Sequence, residues 1–195
     1  MQLILASASP RRKALLSLFH LPFTVRAADI DETMDPGKPP FDEVARVSRS
    51  KALAVRREEG DIVIAADTIV VCQGKVLGKP HSEADARAML HLLSGQTHEV
   101  VTVLTVCCGE QLRSEPVVTR VTFRALSEDE ITAYIATGEP MDKAGSYGIQ
   151  GYGAMFVSHL EGDYFSVMGL PLCPLCSQLR AFGVPILVPK EAQNT

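Results

Sequence analysis

The 195-residue sequence has no excess of basic residues: 19 Lys and Arg stand against 23 Asp and Glu, a formal net charge of −4. General affinity for nucleic acid is thereby excluded, because no positive charge is left over to neutralise a phosphate backbone. Long apolar runs are missing too. Leu3-Ile4-Leu5-Ala6 turns polar at Ser7. That is too short for the apolar region of a signal peptide and far too short to cross a bilayer, so the chain is expected to be cytoplasmic, with no membrane partner. Cysteine is scarce, and its five positions form no framework. Cys107 and Cys108 are adjacent in a β-like run and should point to opposite faces. Cys173 and Cys176 make a C-x-x-C in a Leu-rich, helical stretch with no second Cys or His pair at finger spacing. They read as reduced thiols acting as small apolar residues. Internal repeats and low-complexity tracts are also absent.

What remains is an ordinary globular composition, 46% apolar and 22% charged, in a length that suits one domain or two small lobes sharing a core. Strand-like and helix-like segments alternate, which is the pattern of an α/β fold. Strands are expected near 2–6, 23–27, 61–71, 98–108, 115–124 and 153–157, and helices near 10–19, 41–58, 83–93, 128–137 and 165–182. Gln73-Gly74-Lys75 should turn a hairpin into Val76 and Leu77. Ser82 with Asp85, and Ser127 with Glu130, are start signals for two of the helices, and Gly138 is a stop. Two long irregular segments, the acidic stretch 28–40 and the Gly-rich stretch 139–151, are the first places to look for a site.

Six features carry chemistry. Ser7-Ala8-Ser9-Pro10-Arg11-Arg12 follows the first strand. Ser9 suits the N-cap and Pro10 the first helical position, so a helix N-terminus with two hydroxyls and two guanidiniums would face a bound anion. Gly74 to Pro80 has the outline of a P-loop but fails it: the spacing is one residue short and Pro80 replaces the metal-holding hydroxyl. Lys79, between Gly78 and Pro80, is still a candidate cation. Asp67 and Thr68 come at the end of an apolar strand, where a carboxylate needs a metal or a cation as partner. Lys51 interrupts the apolar stripe Val44, Val47, Ala54 and Val55 of the helix 41–58; a lysine snorkelling at the rim of the core would give the same pattern. Asp31-Glu32 offers hard oxygen ligands for Mg²⁺ or Mn²⁺. Finally, glycines at 138, 145, 148, 151 and 153 frame Lys143, Ser146 and Gln150. Glycines let a backbone approach a ligand closely, and a Gln side chain can both donate to and accept from a nucleobase edge. Together these are the parts needed for phosphoryl chemistry on a nucleotide.

The chain at this point resembles the Maf family of nucleotide pyrophosphatases. The likeness lies in Ser7 to Arg12, Ala65 to Thr68, Gly78-Lys79-Pro80, Ser94-Gly95, Gly138 to Gly151 and Gly169-Leu170-Pro171-Leu172, in order from about residue 3 to about residue 183. It implies a single catalytic domain over 1–185 with a variable tail at 186–195. It also implies a long mixed β-sheet flanked by helices, two lobes with a central cleft, and a homodimer. The implied activity is hydrolysis of nucleoside triphosphates to monophosphate and pyrophosphate with a divalent cation. By the same resemblance Asp67 matches the proton acceptor, and Arg12, Thr68 and Gln150 match three positions tied to substrate choice. Branches acting on 7-methyl-GTP carry an aromatic residue, Gln and Glu there, so Arg, Thr and Gln resemble the dTTP/UTP branch.

The expected mechanism follows. Ser7, Ser9, Arg11 and Arg12 hold the triphosphate, and Lys51, Lys79 and Lys143 neutralise the leaving pyrophosphate. A metal sits near Glu32 and Asp67, Gln150 reads the base edge with Arg12 and Thr68 shaping the pocket around it, and Ser146 is a further substrate-binding residue. Two rivals share the inventory: a nucleotide-binding regulator of septum formation that does not need turnover, and a pyrophosphatase for a modified purine triphosphate.

Overall fold

The computed structural model describes residues 2–56 and 60–187. The chain builds one mixed seven-stranded sheet. Its strands are β1 (Leu3–Leu5), β2 (Thr24–Val25), β3 (Ile62–Cys72), β4 (Lys75–Leu77), β5 (Thr97–Cys108), β6 (Gln111–Phe123) and β7 (Val157–Glu161). They are ordered β2-β1-β3-β5-β6-β7, with β4 pairing β3. β1 runs parallel to both β2 and β3, whereas β3/β4 and β6/β7 are antiparallel. The helices are α1 (Pro10–Ser17), α2 (Pro40–Val55), α3 (Glu83–Leu93), α4 (Glu128–Ala136), α5 (Tyr164–Val167) and α6 (Leu172–Ala181).

Local signals explain most of these boundaries. Ser82 accepts a hydrogen bond from the Asp85 N–H at the start of α3. At α4 the Ser127 and Glu130 capping box is complete in both directions, and Gly138 follows with φ +74°. The β3–β4 hairpin turns through Gln73 and Gly74, both at positive φ.

Four expectations need correction. β3 covers Ile62–Cys72, close to the expected 61–71, so Asp67 lies inside the strand and not at its end, and β4 pairs with the residues beyond it. Residues 152–156 coil as a 3₁₀ turn, and the strand follows them at Val157–Glu161. The expected helix 165–182 is two helices, because Gly169 adopts φ +104° and Pro171 has no N–H to continue the ladder. On α2 the apolar partner near Lys51 is Ala52 and not Ala54, and the helix ends at Val55. Residues 57–59 and the tail from 188 lie outside the described residues.

Two compact units share the chain. The first comprises Met1–Asp67, Val103–Pro116 and Gly169–Thr195; the second comprises Thr68–Thr102 and Val117–Met168. In the first, Ile4, Ala6, Ala52, Val55, Val63, Ala65 and Cys107 form a buried cluster that seats α2 on β1 and β3. In the second, His98, Phe123 and Tyr147 stack edge to face, and Phe123 and Tyr134 meet Phe156 in the same way. All five cysteines are free thiols, with Cys72 and Cys107 buried.

Candidate active site

In the first unit the structure brings four of the predicted charges together. β1 stops pairing at Leu5, opposite Ile64, so β3 runs on past its parallel neighbour and carries Asp67 beyond it. Asp67 is 8% exposed. From α2, Lys51 reaches it with Nζ 2.7 Å from Oδ1, and the same ammonium lies 2.8 Å from Oε2 of Glu32. Lys51 is 6% exposed, so it is a buried cation between two carboxylates and does not snorkel.

Each member has visible support. Ser48, one turn before Lys51, donates to the Val103 carbonyl at 2.9 Å and bonds the Thr105 hydroxyl at 2.8 Å, which fixes the buried face of α2. The acidic loop is tied to α2 through the Glu43 carboxylate, which accepts from the Asp35 N–H, and through Arg46, which donates to the Thr33 carbonyl. Asp31 accepts from Thr33, and those hydrogen bonds hold its pKa below the usual carboxylate range. Asp31 therefore builds the turn, and Glu32 is the carboxylate that reaches Lys51.

Arg12 completes the group. Ser9 caps α1 by accepting from the Arg12 N–H, with Pro10 at the first position, and Ser7 accepts from the Ser9 N–H. The Arg12 side chain donates from Nε to the Gly169 carbonyl at 2.8 Å and from a terminal nitrogen to the Ser7 hydroxyl at 3.4 Å. The break between α5 and α6 is what makes that carbonyl available. Desolvation of the guanidinium lowers its pKa; Asp67 and Glu32 pull it back up, and Arg11 lowers it further. It stays charged, as arginine does. The cluster thus joins two carboxylates to Lys51 and Arg12 at a helix N-terminus, where an anion is favoured.

Arg11 lies beside Arg12 in α1, half-buried, and the other predicted residues belong to the second unit. Thr68 bonds the Thr102 hydroxyl at 2.8 Å, and Thr102 donates to the Ser166 carbonyl at 2.8 Å. The N–H of Gly145 donates to the Gly78 carbonyl, joining the Lys79 strip to the Gly-rich loop. Lys79 is exposed and makes no hydrogen bond or ion pair among the described residues. Lys143 donates to the Glu139 carbonyl and to the Asp142 carboxylate, both at 2.6 Å. Gln150 is exposed. Ser146 is 0% exposed, and its hydroxyl lies 3.0 Å from the Met89 sulfur.

The glycines also require a different explanation. A Cβ at Gly151 would lie 2.1 Å from a Glu139 carboxylate oxygen, and one at Gly148 would lie 2.8 Å from Cε of Lys143. These two glycines make room for the loop's own side chains, not for an outside ligand.

Glu139 is not among the sequence candidates, although it directly follows the Gly138 stop of α4. Its carboxylate accepts from the Tyr134 hydroxyl at 2.9 Å, the Tyr152 N–H at 2.8 Å and the Gly153 N–H at 3.1 Å. Burial pushes its pKa up, but those hydrogen bonds and Lys143 outweigh it and hold the group below the usual glutamate value.

Among the described residues no group of three or more His, Cys, Asp and Glu gathers as a metal site. The two predicted ligands, Glu32 and Asp67, do converge, with Lys51 between them.

A mixed α/β sheet carrying a lysine-bridged carboxylate pair beside an arginine-bearing helix N-terminus defines an α/β protein equipped to handle polyanions. The chain belongs to the Maf family: the family model described as Maf-like protein matches residues 2–182. It is 47% identical over 186 residues to a dTTP/UTP pyrophosphatase of Bacillus cereus (strain AH187), covering 95% of this chain and 97% of that protein. It is 46% identical over 186 residues, with the same coverage, to a dTTP/UTP pyrophosphatase of Bacillus anthracis (strain CDC 684 / NRRL 3495). Among solved structures, the Ham1 protein of Staphylococcus aureus superposes with a TM-score of 0.51 at 14% identity, and a HAM1 protein of Coxiella burnetii with 0.51 at 15%. Each comparison covers 93% of this chain and 99% of the other; at that identity the likeness shows the α/β fold.

Proposed function

We propose that the chain hydrolyses nucleoside triphosphates, with dTTP and UTP as substrates, to the monophosphate and pyrophosphate. The observation that carries this reading is the Lys51 ammonium held between Asp67 and Glu32 at 2.7 and 2.8 Å. It is supported by the relatives, which carry that activity in their names.

In the mechanism, Arg12 and the Ser9-capped N-terminus of α1 hold phosphate oxygens, with Ser7 and Arg11 beside them. Asp67 orients a water at the α-phosphorus and accepts its proton as the oxygen–phosphorus bond forms. The bond from the α-phosphorus to the bridging oxygen breaks, and the electron pair leaves on pyrophosphate. Lys51 fixes the Asp67 carboxylate by its contact with Oδ1, and positioned charge of this kind provides most of the catalysis in phosphoryl transfer.

Glu32 and Asp67 fit Mg²⁺ or Mn²⁺, since such ions take one or two carboxylates and complete their shell with water and phosphate oxygens. When bound, the cation would supply Lewis-acid neutralisation of the phosphates. Gln150 and Thr68 are assigned to the base, with Lys79 and Lys143 providing further positive charge. A cytoplasmic location is supported by five free thiols, two of them buried. The resemblance implies a homodimer, which sedimentation measures directly.

The test is a panel of canonical and modified triphosphates with pyrophosphate and orthophosphate followed separately. Expected are pyrophosphate from dTTP and UTP, CTP slower by roughly tenfold or more, and loss of turnover on chelation. Cytosine presents an amino group and a bare nitrogen where uracil and thymine present a carbonyl and an NH, so buried partners are left unpaired. Gln150→Glu should damage UTP and dTTP turnover, because a carboxylate cannot donate to a carbonyl. Direct orthophosphate release, or equal rates on UTP and CTP, would overturn the assignment.

A further inference from the structure

Gln150 sits at the tip of a turn that its own side chain does not hold. The Gly151 N–H donates to the Gly148 carbonyl at 3.3 Å, closing four residues around Ile149 and Gln150. Both flanks of this turn are anchored to a single carboxylate–phenol pair. After the turn, the N–H groups of Tyr152 and Gly153 donate to Glu139 at 2.8 and 3.1 Å. Before it, the N–H of Gly148 donates to the Tyr134 hydroxyl at 3.1 Å, and that hydroxyl donates to Glu139 at 2.9 Å. Tyr134 is itself fixed by burial and by Phe156 edge-on at 4.9 Å. The anchoring carboxylate lies so close beneath the turn that a Cβ at Gly151 would meet both of its oxygens within 2.5 Å.

We infer that Glu139 is a positioning residue for Gln150, setting the place from which that amide discriminates one pyrimidine edge from another. The inference rests on the proposed reading of Gln150. Glu139 does not contact substrate in this account; it acts by holding three backbone N–H groups, one of them through Tyr134. An ionised carboxylate can accept all of these at once, because it has two oxygens and no hydrogens. Glutamine at the same place would have to present an NH₂ toward the Tyr152 N–H or the Gly153 N–H, donor against donor.

The test uses the full-length enzyme with E139Q, Y134F, Q150A and the double variant E139Q/Q150A, read on UTP and CTP. E139Q is expected to raise KM for UTP roughly tenfold and to lower the UTP-to-CTP ratio of kcat/KM by a similar factor, while kcat changes less than threefold. Y134F should move the same ratio in the same direction by a smaller factor. Adding Q150A to E139Q should lower the ratio no further, since residues that act through one another are not additive.

Equal loss of kcat on both substrates, or additive effects in the double variant, would overturn the inference. If E139Q melts far below the parent, Y134F with Q150A provides the same cycle. If Q150A alone leaves the ratio of an active enzyme unchanged, it is the reading of Gln150 that fails. Amide exchange at Gly148, Tyr152 and Gly153 then decides the anchor separately: faster exchange in E139Q confined to those positions supports it, and unchanged exchange sinks it.

Discussion

The Lys51 cluster and the Gly-rich loop both hold polar groups that the proposed function assigns to the nucleotide, but they are held by opposite means. In the cluster the functional groups hold one another. Lys51 joins Asp67 and Glu32 on a helix, a strand and a tied loop, and removing the lysine leaves the buried Asp67 carboxylate without its cation, while Glu32 is half exposed. In the loop the exposed Gln150 is held by nothing of its own, and a separate carboxylate, Glu139, fixes the backbone around it. The first arrangement makes chemistry and stability inseparable. The second separates them, so that the residue proposed to read the base can change without loss of the fold.

The sharpest way to break this comparison is Lys51→Met. Two carboxylates would lose their shared cation, and taking one partner from a buried pair costs about 3 kcal/mol or more. For a chain of this size that lowers Tm by roughly 6–12 °C, with turnover lost as well. A variant that melts like the parent would show that the cluster is not load-sharing in this sense.

Asp67→Asn should be milder for the fold and severe for the reaction, because Lys51 keeps Glu32 while the proposed proton acceptor is gone. We expect kcat to fall about a hundredfold or more, with nucleotide binding retained. Near-normal single-turnover rates in Asp67→Asn would remove Asp67 from the role.

A third test concerns the second unit, where His98 is 2% exposed and shares a 2.9 Å hydrogen bond with the Tyr147 hydroxyl. Its Nδ1 is buried with no hydrogen-bond partner among the described residues, so a protonated ring would carry an N–H with no acceptor among them. Burial pushes its pKa down to about 4. Between that value and the ordinary one near 6.5, the unfolded chain binds a proton that the folded chain refuses, so stability falls as pH drops through this window. At pH 5 the contribution is about 2 kcal/mol, or roughly 4–8 °C in Tm. Thermal melts at pH 7 and pH 5 check it: His98→Gln should shrink the pH-dependent fall by that amount, and an unchanged fall would refute the assignment.

How much of this was legible in sequence differs between the two regions for the same physical reason. Lys51 on an apolar stripe and Asp67 after an apolar run are anomalies of burial, and burial is what periodicity reports. The glycine spacing was equally visible, but its cause was not. A glycine is demanded by whatever occupies the space of its missing Cβ, and at 148 and 151 that is Lys143 and Glu139 of the same loop. The burial of the Ser146 hydroxyl against Met89 leaves no pattern in the sequence. The strand 61–71 and its hairpin into Val76 and Leu77 are legible as β-branched runs on either side of a Gly turn, and both are present.

The smallest expected effect separates two lysines that look alike in sequence. Lys143 is tied to the Glu139 carbonyl and the Asp142 carboxylate, and its side chain is 15% exposed. Lys79 is exposed and makes no such contact among the described residues. An exposed charge acts over distance through solvent and contributes at most about 1 kcal/mol, so Lys79→Met should lower kcat/KM by about fivefold and leave Tm unchanged. Because that contribution is screened, added salt should bring the parent enzyme down toward Lys79→Met and close most of the gap by roughly 0.5 M. Lys143→Met removes a donor from a loop carbonyl as well as a charge, so its Tm should fall and its deficit should persist in salt. If the two variants show the same salt dependence and the same melting temperature, the distinction between a charge acting through solvent and a charge built into the loop is wrong for this pair.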